Sequence, residues 1–228
     1  VDIPRHGFSN LMNMLFFAKQ YGIDVDGFVE GDDGIFGMYK PAVANEDYES
    51  LGFKIKMNYV TDLGQTQFCG NTFDPRDLKL IISPEQIVRL VWTTASQYFH
   101  AKKPRLLSLL RAKAMSLFCL GKDTPIAGAL ALRVLTIIGP GGQILDPHNK
   151  WWDMNLLELS QKEVFEERPI LTRSRVLFEE RFGVPLDTQF ALEKSIRAAT
   201  TLEELFLPWS FMANSYSAGE FLGGSRNL

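Results

Sequence analysis

The run that points most directly to chemistry is Gly31-Asp32-Asp33-Gly34. Two adjacent carboxylates repel each other, and a hard cation with oxygen ligands, Mg²⁺ or Mn²⁺, relieves that repulsion. The flanking glycines leave room for a substrate backbone to come close. An ordinary surface turn uses the same residues, because Gly accepts positive φ and Asp bonds its own backbone. A calcium loop is a competitor, since Asp24-Val25-Asp26-Gly27 opens like one. It fails on spacing: its glycine falls fourth where the sixth is wanted, and the twelfth residue is Ile35 instead of Glu. The chain contains neither a phosphate-binding GxxxxGK(S/T) nor a GxGxxG that opens a helix after a strand.

The elements around these carboxylates can be read from periodicity. Gly7 to Tyr21 is apolar on most faces and is followed by Gly22, which predicts a buried helix. Strands are expected at Asp26–Glu30 and Ile35–Tyr39, so the Gly/Asp run becomes a hairpin turn. A short helix at 42–51 closes on Gly52, and Phe53 to Val60 alternates as a strand. Thr66–Gly70 and Leu78–Ile82 suggest another strand pair, joined by a turn over 71–76. Ser83-Pro84-Glu85-Gln86 is a helix start, with Ser as cap and Pro at the first helical position. Helical patterns dominate from there to Ala213, and 219–228 reads as a loose tail. The expected class is α+β, with a boundary near residue 83. No internal repeat or low-complexity tract is visible.

Composition narrows the function. The 228 residues are 46% hydrophobic and 22% charged, the balance of an ordinary soluble protein with a sizeable core. Two cysteines, Cys69 and Cys119, and three histidines are too few for a zinc framework or a disulfide scaffold. The net charge of −3 means that any nucleic-acid contact must come from a local basic patch or from another part of the protein. No secretory signal opens the chain. The longest apolar run, Ile126 to Ile138, is broken by Arg133 and too short to span a bilayer.

The order of these elements resembles the palm of the RNA-directed RNA polymerases of positive-strand RNA viruses. Phe28-Val29-Glu30-Gly31-Asp32-Asp33-Gly34 resembles motif C, the Gly-Asp-Asp hairpin. Gly7-Phe8-Ser9-Asn10-Leu11-Met12 resembles the later part of the motif B helix, with Ser9 and Asn10 on it. Gln67-Phe68-Cys69-Gly70 resembles motif E, the primer grip formed by Phe68, Cys69 and Gly70. Leu109 to Ala114, followed by Pro125-Ile126-Ala127-Gly128, resembles the thumb of noda-like and tombus-like viruses. The resemblance is specific over 7–76 and loose over 77–228. It implies a partial palm at 1–82, an antiparallel hairpin with packed helices, and a mainly α-helical thumb at 83–228.

What the resemblance implies can be carried over residue by residue. Asp32 matches a ligand of two catalytic Mg²⁺ (or Mn²⁺) ions, and Asp33 a supporting carboxylate nearer the rim. The implied reaction is template-directed nucleotidyl transfer from a nucleoside triphosphate to an RNA 3′ end. Lys56, on the motif D strand, matches a general acid for the departing pyrophosphate, with Lys54 a rival and a solvated lysine the commonplace reading. The implied partners are template and nascent RNA, nucleoside triphosphates and the upstream fingers and palm. The implied place is a viral replication complex in the host cytoplasm, with any membrane attachment supplied by other regions.

Motif A would lie upstream of residue 1, so the chain is expected to be a segment that is inactive by itself. A Ser-Gly pair, a Thr and an Asn precede Gly-Phe in the family. Here Val1 to His6 fills that stretch, with His6 where the Asn belongs, so either ribose selection does not carry over or residues 1–6 are not the native junction. The basic cluster Lys102, Lys103, Arg105, Arg111 and Lys113 could lie along an RNA backbone, or be a solvated helix face. Trp151-Trp152 could stack on a base, though such pairs more often anchor helices. Two rival readings remain: a noncatalytic, polymerase-like interaction module, and a reverse transcriptase. The second is disfavoured by Glu30-Gly31, where an aromatic residue and one intervening position would be expected.

Overall fold

A computed structural model describes residues 3–93, 96–141 and 162–205. Among these the fold is mixed α/β, with seven α-helices, short strands and an antiparallel hairpin, in keeping with an α+β class. The chain divides into two compact units, 1–75 and 76–228.

In the first unit, α1 (Ile3–Tyr21) packs against the hairpin of β1 (Val25–Glu30) and β2 (Asp33–Met38). The core is small. Met14, Phe17, Val43 and Tyr48 are buried, and Ile23, Val25, Phe36, Met38, Ile55 and Met57 pack around them. The Phe17 and Tyr48 rings meet at 5.1 Å between centroids. The expected all-round burial of α1 is corrected here. Only one face meets this core, while Phe8, Met12, Leu15 and Phe16 are exposed.

Three further expectations change in this unit. The helix α2 is Asn45–Ser50, shorter than 42–51. Val43 cannot join it because the Tyr59 hydroxyl takes both Val43 backbone groups, donating to its carbonyl at 2.6 Å and accepting from its N–H at 3.2 Å. The strand expected at Phe53–Val60 forms no ladder. Its backbone is tied to α2 instead: the Phe53 N–H donates to the Tyr48 carbonyl at 2.9 Å, and the Met57 N–H to Asn45 Oδ1 at 3.2 Å. The alternation survives without pairing, since Ile55 and Met57 face the core and Lys54 and Lys56 face outward.

The third change concerns 66–70. A 3₁₀ turn at Leu63–Gln65 is capped by Asp62, whose Oδ1 accepts from the Gly64 N–H at 2.6 Å. Phe68 and Asn71 then exchange two backbone hydrogen bonds of 2.9 Å around Cys69-Gly70. Both central residues have positive φ, 51° and 77°, the signs of a type I′ turn. The strand β3 is therefore Asn71–Phe73, where a turn was expected.

The second unit holds β4 (Leu80–Ile82), α3 (Pro84–Trp92), α4 (Lys103–Gly121), α5 (Ala127–Ile138), α6 (Thr172–Phe182) and α7 (Leu186–Ala198). Short 3₁₀ turns sit at Ser96–Tyr98 and Glu203–Leu205. The helix start at Ser83 forms as the sequence indicates. Ser83 Oγ accepts from the Gln86 N–H, and Gln86 Oε1 accepts from the Ser83 N–H, each at 3.2 Å. Ile81 and Ile82 share the core of this unit with Ile87, Leu117, Phe118, Leu130, Val134, Phe178 and Ile196. That shared core is why β4 belongs with the helices.

A carboxylate ties three helices of this unit together. Glu193 on α7 is 2% exposed. Its Oε1 accepts from the Ile126 N–H and Arg175 Nη1, both at 3.0 Å, and its Oε2 from Arg175 Nη2 at 3.0 Å and Arg197 Nη2 at 3.2 Å. Ile126, just ahead of α5, sits at φ 73° and ψ −41°, and the Ala127 N–H reaches back to the Pro125 carbonyl at 2.8 Å. That is the rare γ-turn, a strained conformation for a β-branched residue.

Candidate functional site

The hairpin register runs from Val25↔Met38 to Glu30↔Asp33, leaving Gly31 and Asp32 as its two-residue turn. Gly31 has φ 62°, the left-handed value that the first central position of a type II′ turn requires. The turn follows the strand twist and sets Asp32 and Asp33 side by side at the tip, both exposed.

The preceding helix fixes this tip. Asn10 Nδ2 on α1 donates to the Asp32 carbonyl at 3.2 Å. A Cβ on Gly34 would lie 3.0 Å from Asn10 Nδ2 and 2.8 Å from the Phe36 ring, so glycine makes the room that this contact uses. Ser9, half-buried, precedes Asn10 on the helix, and His6 is exposed one turn earlier. Asp2 lies outside the described residues.

The Cys69-Gly70 turn reaches the same place. Cys69 Sγ donates to Glu30 Oε2 at 3.5 Å. Burial, reinforced by the Glu30 and Asp33 carboxylates, pushes the thiol up to about 12. Cys69 therefore stays protonated and donates a weak hydrogen bond to an acidic neighbour. The structure thus brings together Asn10, Glu30, Asp32, Asp33 and Cys69. Glu30 was not offered as a site residue from sequence; its place opposite Asp33 follows from the two-residue length of the turn, where the sequence suggested a turn over all of 31–34. Phe68 contributes its backbone to the turn. Lys56, with Lys54, lies on the irregular 53–60 segment.

The basic cluster, in the second unit, separates into two groups. Lys102, Lys103 and Arg105 are exposed at the start of α4. Arg111 is buried, and its Nη2 donates to the Gly139 carbonyl at 2.6 Å and the Ile138 carbonyl at 3.5 Å, capping the C-terminus of α5. Lys113 Nζ donates to the carbonyls of Thr93 and Arg89 at the end of α3, and burial pulls its pKa down. Both serve helix ends, where cations complement the dipole. Trp151 and Trp152 lie outside the described residues.

Asp32 and Asp33 offer oxygen atoms of the kind a hard cation takes, but two carboxylates fill only part of a six-coordinate shell. Among the described residues no group of three or more His, Cys, Asp or Glu is placed to hold a metal ion. Among the same residues no helix is long and apolar enough to cross a membrane. Comparison with protein-family models, with curated proteins and with solved structures finds no match to this chain.

Proposed function

We propose that this chain carries the metal-binding hairpin, the adjoining turn and the thumb of an RNA-directed RNA polymerase. The observation that carries the reading is the tip itself. Adjacent carboxylates project from a glycine-framed two-residue turn, and a preceding helix holds that turn through Asn10 and the Asp32 carbonyl. Such a bond stabilises any turn by about 1 kcal/mol. Here it also fixes the peptide between the two carboxylates, which serves a site that must hold charge in fixed geometry, because misplacement of reacting groups by about 1 Å can cost on the order of 10²-fold in rate.

In this reading Asp32 supplies oxygen ligands to the cation, and Asp33, opposite Glu30, supplies a second carboxylate at the rim. The bound Mg²⁺ would neutralise charge on the triphosphate and favour the attacking 3′ hydroxyl. Asn10 holds the turn through the Asp32 carbonyl, and the Cys69 thiol holds Glu30 beside it. The remaining oxygen ligands would come from water, the triphosphate and carboxylates beyond the described residues. The exposed cations Lys102, Lys103 and Arg105 would meet the RNA backbone.

The test is Asp32→Ala in a complete polymerase that carries this segment, with primer extension and thermal unfolding measured side by side. The expected result is loss of synthesis, by about 10³-fold or more if an essential metal ligand is removed, with an unchanged melting curve. Asp33→Asn should be milder. Substantial synthesis by the Asp32 variant would overturn the assignment.

A further inference from the structure

We propose that Phe99 is a base-stacking platform, and that it makes the start of α4 a site for single-stranded RNA in preference to duplex. The proposal rests on the polymerase reading only for its choice of RNA. The site itself is argued from the surface.

Phe99 is 67% exposed between the 3₁₀ turn at Ser96–Tyr98 and α4. A single exposed apolar ring is common on protein surfaces and does not by itself call for a partner; what sets Phe99 apart from the similarly exposed Phe8 and Phe28 is the cationic ground around it. Its backbone is held: the Phe99 N–H donates to the Ser96 carbonyl at 3.1 Å, and the Ala101 N–H to the Tyr98 carbonyl at 3.0 Å. Tyr98 is buried and anchors the turn, with the Arg105 guanidinium 5.6 Å from its ring centroid. The ring of Phe99 thus stands on a fixed base, which lowers the entropy cost of stacking on it.

The charge around it decides the class of partner. His100, Lys102, Lys103 and Arg105 are all exposed within six residues of Phe99. The sequence has no Asp or Glu between Glu85 and Asp123, in a chain whose net charge is −3. Cations beside an accessible aromatic face are the elements that single strands use: phosphates meet the cations and an unpaired base meets the ring. A duplex keeps its bases stacked on one another and can use only the cations. Arg111 and Lys113 are spent on helix ends, so the cationic face narrows to the residues that border Phe99.

The experiment is fluorescence anisotropy with the whole chain, using a labelled oligouridylate and a labelled RNA duplex, over a range of KCl concentrations. Phe99→Ala should weaken oligouridylate binding by at least about fivefold, the lower end for one stacked base. It should leave duplex binding and the salt slope unchanged, and Phe99→Trp should restore affinity. Replacing Lys102, Lys103 and Arg105 by Ala should instead weaken both ligands and flatten the slope. Wild-type binding of oligouridylate by Phe99→Ala would overturn the proposal, and so would an equal loss for both ligands. Neither readout depends on catalysis at Asp32, so failure here leaves the hairpin assignment to its own test.

Discussion

Removal of the Glu193 carboxylate tests the energetics of the helical unit. In Glu193→Ala the buried Arg175 guanidinium loses both bonds of its fork, and the Ile126 N–H loses its acceptor at a strained turn. Breaking a buried ion pair by deleting one partner costs about 3–5 kcal/mol, because the surviving charge stays desolvated. The orphaned amide places the cost toward the upper end of that range. With a urea m-value of about 2 kcal/mol/M, a loss of ~5 kcal/mol lowers the unfolding midpoint by about 2.5 M. Trp92 on α3 packs against the core of the 76–228 unit, so its fluorescence reports this transition. Glu193→Gln keeps the shape and one acceptor oxygen, and should lose about half as much.

The pH dependence supplies the sign. Burial alone would raise the Glu193 carboxyl. The hydrogen bonds from Arg175 and the Ile126 amide, with the charges of Arg175 and Arg197, outweigh it and hold the group below the usual carboxylate value. A depressed folded pKa contributes stability that is fully present above the unfolded value of about 4.3 and is lost as pH falls through the folded one. The gap between wild type and Glu193→Ala should therefore be constant from about pH 8 to 5 and narrow below about pH 4. A midpoint shift under about 0.5 M at pH 7, or a gap that widens in acid, would refute the argument.

Asn10→Ala should speed amide exchange at Gly31 to Asp33, because it removes one hydrogen bond of about 1 kcal/mol from the tip, and leave the 76–228 unit unaffected. Exchange at wild-type rates would show that the helix does not hold the turn. Arg111→Met should destabilise the helical unit by about 1–3 kcal/mol, since it uncaps α5, and leave RNA affinity and its salt slope as in wild type. A loss of affinity in a folded Arg111→Met would return that residue to the RNA-facing set.

Legibility followed the range of the interactions. The Ser83 capping box and the hairpin turn are written within four residues each, and both form where their residues indicate. Phe53 to Val60 was misread because alternation reports which side is buried. The pattern does not say whether a neighbouring strand exists, and here α2 takes the backbone bonds. The Cys69-Gly70 turn was misplaced because non-glycine residues rarely accept positive φ, so Cys69 gave no turn signal. Arg111 and Lys113 read as members of one basic face. Their roles as caps depend on where α5 and α3 end, which is a tertiary fact. Glu193 and Arg175 meet across separate helices, and no local pattern pairs them.

The acidic tip raises a physical question that the hairpin register makes explicit. Glu30 and Asp33 face each other at the last pair of the ladder, with Asp32 between them in the turn. Like charges directly opposite in a ladder destabilise it, and the end of a two-stranded hairpin is the easiest part to fray. One backbone conformation and two contacts oppose fraying here. Gly31 lets the chain reverse in two residues. Asn10 holds the Asp32 carbonyl from the helix, and the Cys69 thiol donates to Glu30 from the neighbouring turn. The neutral thiol carries no charge of its own to cancel the carboxylates. The tip is thus held in shape by contacts that leave its negative charge in place, which is the condition a divalent cation would relieve and a plain solvent-facing turn would not need. On that ground Asn10 and Cys69 matter for the angle at which Asp32 and Asp33 are presented, and a change at either should alter that angle before it alters the fold.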